Sequence, residues 1–264
     1  MVIAAPILLP RRTRTLALLG ASLLAIATAA AAQGPQGGSV RSGSARISQT
    51  ATETTIRQSS RRAVIDWRGF DVDQGHAVVF DQPGAKAATL NRVTSASPSM
   101  IEGTIRAPGT VIIQNAAGVI FTGTAKVDVG GIVATSQTVR AGRFQRDGSL
   151  RIDDTGPGGA VINRGTLTVG EAGLAALVGR HVENAGTIVA SKGTVALASG
   201  QRTTIDLAGD GLLRIAVEGD VEGGSAVRNS GEIEAGEGRV LLSAGDAASD
   251  FVRITASGAD GPAR

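Results

Sequence analysis

Asn163-Arg-Gly-Thr-Leu-Thr-Val169, Asn184-Ala-Gly-Thr-Ile-Val-Ala190 and Asn229-Ser-Gly-Glu-Ile-Glu-Ala235 share one pattern, Asn-x-Gly-x-[Leu/Ile]-x-[Val/Ala]. The first interval is 21 residues. The second is 45, which reads as close to two periods of about 22. A second element keeps register with the first: Gly193-Thr-Val-Ala-Leu197 and Gly238-Arg-Val-Leu-Leu242 each begin nine residues after their asparagine. A period of about 22 made of strands without a helix predicts a parallel β-helix, one coil per period, because a single coil cannot bury its inward face and stacked coils bury it continuously. Asparagine at a turn tolerates left-handed backbone and can hydrogen-bond its neighbour in the next coil. The glycine two positions on permits a tight corner.

The rest of the chain agrees with that reading. Short β-rich runs broken by glycine begin at Ile47, among them Ala77-Val-Val-Phe80, Thr110-Val-Ile-Ile113, Gly118-Val-Ile-Phe121 and Lys126-Val-Asp-Val129. Only Glu171–Val178 invites a helical reading, and Gly173 argues against it. The 264 residues hold 37 glycines, five phenylalanines, one tryptophan and no tyrosine, so the core is built from small and β-branched side chains. These fit a narrow β-helix interior. Roughly 200 ordered residues allow about nine coils and a rod on the order of 40 Å. The rival fold is a β-sandwich or barrel of similar strand density, and the register of the repeat favours the helix.

Residues 1–32 read as a secretory signal: Arg11-Arg-Thr-Arg14, an apolar run from Leu16 to about Ala27, then Ala30-x-Ala32 before Gln33. The apolar run is short of the roughly 20 residues that span a bilayer. Residues 33–46, rich in Gly, Ser and Gln, read as a flexible start, and 47–264 as the β-helix domain. Without the leader the chain carries 23 basic and 23 acidic residues, which removes the electrostatic argument for nucleic acid or an anionic membrane. No second long apolar stretch predicts stable membrane insertion. With no cysteine there is no disulfide and no need for oxidative folding, which suits a chain that stays unfolded until it has crossed a second barrier.

The stretch Gln58–Ser136 resembles the secretion domain of filamentous haemagglutinins and related two-partner secretion exoproteins. The blocks that carry the likeness are Gln58-Ser-Ser-Arg-Arg-Ala-Val-Ile-Asp-Trp-Arg-Gly-Phe70, Gly75-His-Ala-Val-Val-Phe80, Leu90-Asn-Arg-Val-Thr94, Pro98-Ser-Met-Ile-Glu-Gly-Thr-Ile105, Val111–Phe121 and Val127–Ser136. Val195–Leu207 and Gly209–Leu213 look like later coils of the family. The family's signature loop, Asn-Pro-Asn-Gly-Ile/Val, stands here as Asn115-Ala-Ala-Gly-Val119, without the proline that preorganises the turn.

The resemblance implies a right-handed parallel β-helix entered through an N-terminal cap of strands. It implies export across the inner membrane, recognition in the periplasm by an outer-membrane barrel transporter of a Gram-negative bacterium, and folding outside the cell. It also implies an adhesin- or haemagglutinin-like protein, secreted or held at the cell surface. The motif residues Asn91, Arg92, Asn115 and Gly118 then either touch the transporter or form a turn it requires. Trp67 and Phe70 are expected to close the open end of the β-helix.

Candidate chemistry is thin. His76 and His181 lie 105 residues apart, without metal-ligand spacing, and read as coil-surface residues, so no metal and no cofactor is expected. Asp71 and Asp73 share a strand face by their spacing and, with Arg68, offer a sparse acid–base set. Asp153/Asp154 is a second pair, and Asp206 and Asp210 flank a glycine turn. All read as solvated turns. Gly236-x-Gly238 lacks the context of a phosphate loop and reads as a coil corner. The leading reading is therefore a non-enzymatic secreted exoprotein domain. Its rivals are a carbohydrate-active β-helix lyase or hydrolase and a secretion domain severed from its passenger. A bare C-terminal coil end after Arg264 would favour self-association.

Overall fold

The computed structural model describes residues 33–156, 158–207, 215–218 and 226–244. The expected leader, the block Gly209–Leu213 with Asp210, and the C-terminal coil end lie outside them.

The described chain winds through three parallel stacks that together make a β-helix. The first face stacks Ala77–Asp81, the start of Thr104–Asn115, the start of Lys126–Thr135, Thr166–Val169, Thr187–Val189 and Glu232–Glu234. The second stacks Arg62–Trp67, Ala88–Val93, the end of Thr104–Asn115, the end of Lys126–Thr135, Leu174–Val178, Thr194–Ser199 and Arg239–Ala244. The third stacks Ser99–Ile101, Val119–Phe121, Val161–Asn163, His181–Asn184 and Ala226–Asn229. Strand alternation sends every second side chain inward. Ile105, Val127, Leu167 and Ile188 from the first face meet Ile65, Ile113, Ala134, Leu177 and Leu197 from the second and Ile101, Phe121, Val161 and Val182 from the third in one continuous core.

Seven strands stack on the second face among the described residues, fewer than the nine coils expected. The difference lies in the 45-residue interval. Asn184 pairs directly with Asn229, so the interval is one coil and an excursion, not two coils. A similar excursion separates Lys126–Thr135 from Val161–Asn163. The two excursions build a second layer. Thr138–Val139, Ser149–Asp153, Arg202–Asp206 and Ile215–Glu218 form an antiparallel sheet, joined by the helix Ala141–Asp147.

The excursions have a physical reason. The second face is apolar on its outside as well: Val64, Leu90, Ile112, Val133, Ala176 and Ala196 stack in register there. Phe144, Leu150, Ile152 and Ile205 cover them and form a second buried cluster. The near-continuous apolar runs of this face are those of strands buried on both sides.

Residues 33–46 contain strand, contrary to the flexible start expected from composition. Ser39–Ser42 pairs antiparallel with Arg62–Trp67, and Ala45–Gln49 pairs with Glu53–Gln58. Pairing with the first coil, and the packing of Val40 and Ile47 against the core, orders a segment whose own sequence has no apolar period. Leu174–Val178 is strand, and Gly236-Glu237-Gly238 is a coil corner, as read from the sequence.

The asparagine ladder is present. Asn163 Nδ2 donates to Asn184 Oδ1 at 2.7 Å, and Asn184 Nδ2 to Asn229 Oδ1 at 2.7 Å. Its backbone is not left-handed. Among the described residues, the non-glycine residues with positive φ are Ala172, Lys192 and Glu237, at 58°, 54° and 50°, one corner further along each coil. The glycines after the asparagines have another reason as well. A Cβ on Gly165 would lie 2.6 Å from the Thr122 carbonyl oxygen, and one on Gly186 or Gly231 would overlap the carbonyl of the preceding coil. Close approach of stacked backbones requires glycine there, not φ.

Candidate functional site

Asn91 and Arg92 lie on the second face, one coil from the strand the N-terminal cap pairs with, and Asn115 and Gly118 lie at that face's end one coil further on. Trp67 ends Arg62–Trp67 pointing into the core, with its ring edge-on to Phe70 at 5.5 Å and 79°. Both rings are fully buried. Gly38 lies over Trp67, where a Cβ would come within 2.6 Å of the indole. The cap thus rests on the tryptophan.

Asn91 occupies the same inward column as Ile65 and Ile113. An amide in an apolar column is costly unless its groups are bonded, and here they are. Trp67 Nε1 donates to Asn91 Oδ1 at 3.0 Å, and Asn91 Nδ2 donates to the Ile112 carbonyl at 3.1 Å. One asparagine ties three successive coils. Sequence reading selected Trp67 and Asn91 separately and missed that they are one hydrogen-bonded unit.

Arg92, the next residue, points outward. It meets Asp66 at 2.6 Å, and Arg41 of the cap meets the other oxygen of the same carboxylate at 2.7 Å. Partial burial alone would raise the Asp66 carboxyl. Hydrogen bonds from Arg41 and Arg92 outweigh it and hold the group below its usual range. Arg92 is one-third exposed, so it is the recognition candidate a partner can reach in the folded domain.

Asn115 and Gly118 form the corner from the second face to the third. Asn115 is fully buried. Its Nδ2 donates to the Ser97 carbonyl and to Ser99 Oγ, both at 3.0 Å. Its Oδ1 accepts the Ala117 amide at 3.0 Å, and its carbonyl accepts the Gly118 amide at 2.9 Å. Gly118 has φ 121°, and a Cβ there would lie 2.7 Å from the Ala160 carbonyl oxygen. The turn closes on Asn115 and the Ala117 amide, without the proline and second asparagine of the signature loop.

The other candidate chemistry resolves into structural contacts. Asp71 Oδ1 accepts the Met100 amide and Asp73 Oδ2 the Gln33 amide, each at 2.8 Å. Asp153 receives Arg140, Arg151 and Arg202 at 2.7 to 3.1 Å. Burial pushes that carboxyl up, but the three arginines outweigh it and hold it at about 2. Arg180 meets Asp154 at 3.0 Å. Asp153 and Asp154 are therefore not solvated turn residues: Asp153 ties the parts of the second layer to one another, and Asp154 fastens that layer to the coils through Arg180. His76 is also not on the surface. It is 3% exposed, with its Nε2 2.9 Å from Thr54 Oγ1, because residues 33–36 fold over it. His181 is exposed as expected. Among the described residues no group of three His, Cys, Asp or Glu side chains is placed to hold a metal ion.

Comparison with known proteins identifies the family. The TPS secretion domain family matches residues 31–261. A heme/hemopexin-binding protein of Haemophilus influenzae strain Rd is 36% identical over 213 residues, which are 77% of this chain and 23% of that protein. A second heme/hemopexin-binding protein from the same species is 42% identical over 88 residues, 33% of this chain and 10% of its own length. The chain therefore spans less than a quarter of either relative. The crystal structure of the HMW1 secretion domain from Haemophilus influenzae superposes with a TM-score of 0.68 at 27% identity, covering 80% of this chain and 57% of that one.

Proposed function

From the premise that this chain belongs to the TPS secretion domain family, we propose that its N-terminal coils present a two-part address to an outer-membrane transporter. One part is the shape of the Asn115–Gly118 corner, and the other is the outward Arg92. The membership makes the chain the secretion domain of a two-partner exoprotein and favours that reading over a carbohydrate-active enzyme. The observation that carries the division of labour is burial. Asn91 and Asn115 are fully enclosed and use their amides on their own backbone, so in the folded domain they act by shaping it. Arg92 keeps part of its guanidinium in solvent. A cap role for Trp67 and Phe70 is supported by the strands laid over them.

In this reading residues 1–32 direct the chain to the periplasm, the transporter carries it across the outer membrane, and the coils close outside the cell. The exoprotein then acts there, as an adhesin or, by likeness to the two heme/hemopexin-binding relatives, in binding haem or hemopexin. The test is secretion from a Gram-negative host with and without the transporter encoded beside the gene. Transporter-dependent appearance in the medium is expected. Arg92→Gln should reduce secretion while leaving the purified domain's unfolding free energy within about 0.5 kcal/mol of wild type. Asn115→Ala should lower both. Secretion of Arg92→Gln at the wild-type level would remove the direct-contact half of the proposal.

A further inference from the structure

A cleft of about 250 Å³ opens where the second layer meets the rim of the second face. Its lining includes Arg61, Arg62 and Lys86, the buried Ala88, Phe144 and Leu174, and the half-buried Leu207. The Ala88 amide donates to the Arg61 carbonyl at 2.9 Å, and Arg62 pairs in register with Ala88. The loop that carries Lys86 is therefore one coil step, about 4.8 Å, from the two arginines.

Like charges on adjacent coils repel. Some cations elsewhere meet a carboxylate across coils or layers, Arg41 and Arg92 with Asp66, Arg57 with Asp81, Arg180 with Asp154, and Lys192 with Glu171, while others among the described residues, such as Arg106 and Arg164, stand singly; the cleft is distinct in gathering three cations. Among the described residues, none of the three cleft cations lies within 4.0 Å of a carboxylate. Two carboxylates do line the cleft. Glu171 is taken by Lys192 at 2.9 Å, and Asp206 stands in register with Ser149 on the second layer. Arg62 spends donors on the carbonyls of Gln145 and Arg146 at the end of helix Ala141–Asp147, each at 3.4 Å. That leaves Arg61 and Lys86, both exposed, as uncommitted charge at the cleft.

We infer that this cleft is a binding site for a phosphate-type oxyanion, held by Arg61 and Lys86 with Arg62 behind them. Charge-assisted hydrogen bonds from guanidinium and ammonium groups suit tetrahedral oxyanions. The half-buried Leu207, set over the buried Phe144 and Leu174, offers a small apolar contact to a ligand whose anion is attached to a hydrocarbon stem. The oxyanion has two sources, a free phosphate compound or the headgroup of an anionic lipid.

The test uses the purified 33–264 chain. Inorganic phosphate and dodecyl phosphate are titrated by calorimetry and by amide NMR shifts, with dodecyl trimethylammonium as the opposite-charge control. Saturable binding of both phosphates is expected, dodecyl phosphate the tighter, with shifts centred on 61–62 and 85–88. Arg61→Gln and Lys86→Gln should each weaken it roughly tenfold, as loss of one charge-assisted bond implies. Both positions are exposed, so circular dichroism should show both variants folded. Flotation with phosphatidylcholine vesicles, with and without phosphatidylglycerol, separates the sources. Binding that needs phosphatidylglycerol and Lys86 supports the site with a lipid headgroup as its source. Vesicles left unbound by a chain that still takes dodecyl phosphate support it with a soluble source. Absence of saturable phosphate binding, or equal affinity in the two variants and the parent, overturns the proposal.

Discussion

Replacing Asn184 by alanine tests the internal ladder most directly. Asn184 is fully buried and sits at the centre of three stacked asparagines. Its Oδ1 accepts from Asn163 and its Nδ2 donates to Asn229, both at 2.7 Å. Alanine removes both bonds and leaves a donor and an acceptor behind. Asn163 is itself fully buried, and its Nδ2 keeps only a long contact to the Thr187 carbonyl at 3.4 Å. An orphaned buried group costs about 1–3 kcal/mol. Asn163 should lie near the upper end of that range and the half-buried Asn229 near the lower, for a total of about 3–4 kcal/mol. The assay is equilibrium urea unfolding at neutral pH, with Glu183→Ala as control, since Glu183 is on the same strand and points outward. The Asn163→Ala/Asn184→Ala double variant completes a cycle. It should lose clearly less than the sum of the single losses, because the two residues share one bond. A loss in Asn184→Ala no larger than in Glu183→Ala, or strict additivity in the cycle, would refute the ladder as a stabilising element.

Gly186→Ala should cost about 1–3 kcal/mol by forcing stacked backbones apart, whereas Gly170→Ala, whose new Cβ would find nothing closer than 3.5 Å, should be nearly neutral in the same urea assay. Trp67→Phe keeps most of the core ring but orphans Asn91 Oδ1, so it should lose about 1–3 kcal/mol and increase proteolysis of the 33–49 cap. Asp153 has a folded pKa of about 2 against an ordinary value near 3.9, so its contribution is complete above about pH 4 and is lost as pH falls towards 2. The stability gap between wild type and Asp153→Asn, followed by thermal unfolding across that range, should therefore narrow on acidification; a gap that stays constant would contradict the arginine cluster.

Several residues mark where sequence reading succeeded and where it stopped. The repeat exposed the coils because corner residues recur wherever backbones stack. Asn163, Asn184 and Asn229 were legible as a ladder for that reason. The 45-residue interval misled because an excursion of nearly one coil length is indistinguishable from a coil by spacing alone. Residues 33–46 looked flexible because an antiparallel cap borrows its order from the strands it pairs with. Asp153 looked solvated because its three arginines come from positions 140, 151 and 202, which only the second layer brings together. His76 looked exposed because its cover, residues 33–36, lies some 40 positions earlier in the chain.

By itself the sequence determined the β-helix, its corners and its likeness to secretion domains, since periodic burial and backbone stacking act residue by residue. Only the tertiary structure decided which candidate side chains face outward. Asn91 and Asn115 turn inward while Arg92 remains outside, and strand alternation fixes that choice once the register between coils is set. Tertiary structure also decided that the second face is buried on both sides and that Arg61, Arg62 and Lys86 share a cleft, because both depend on two distant excursions folding back onto the same stack.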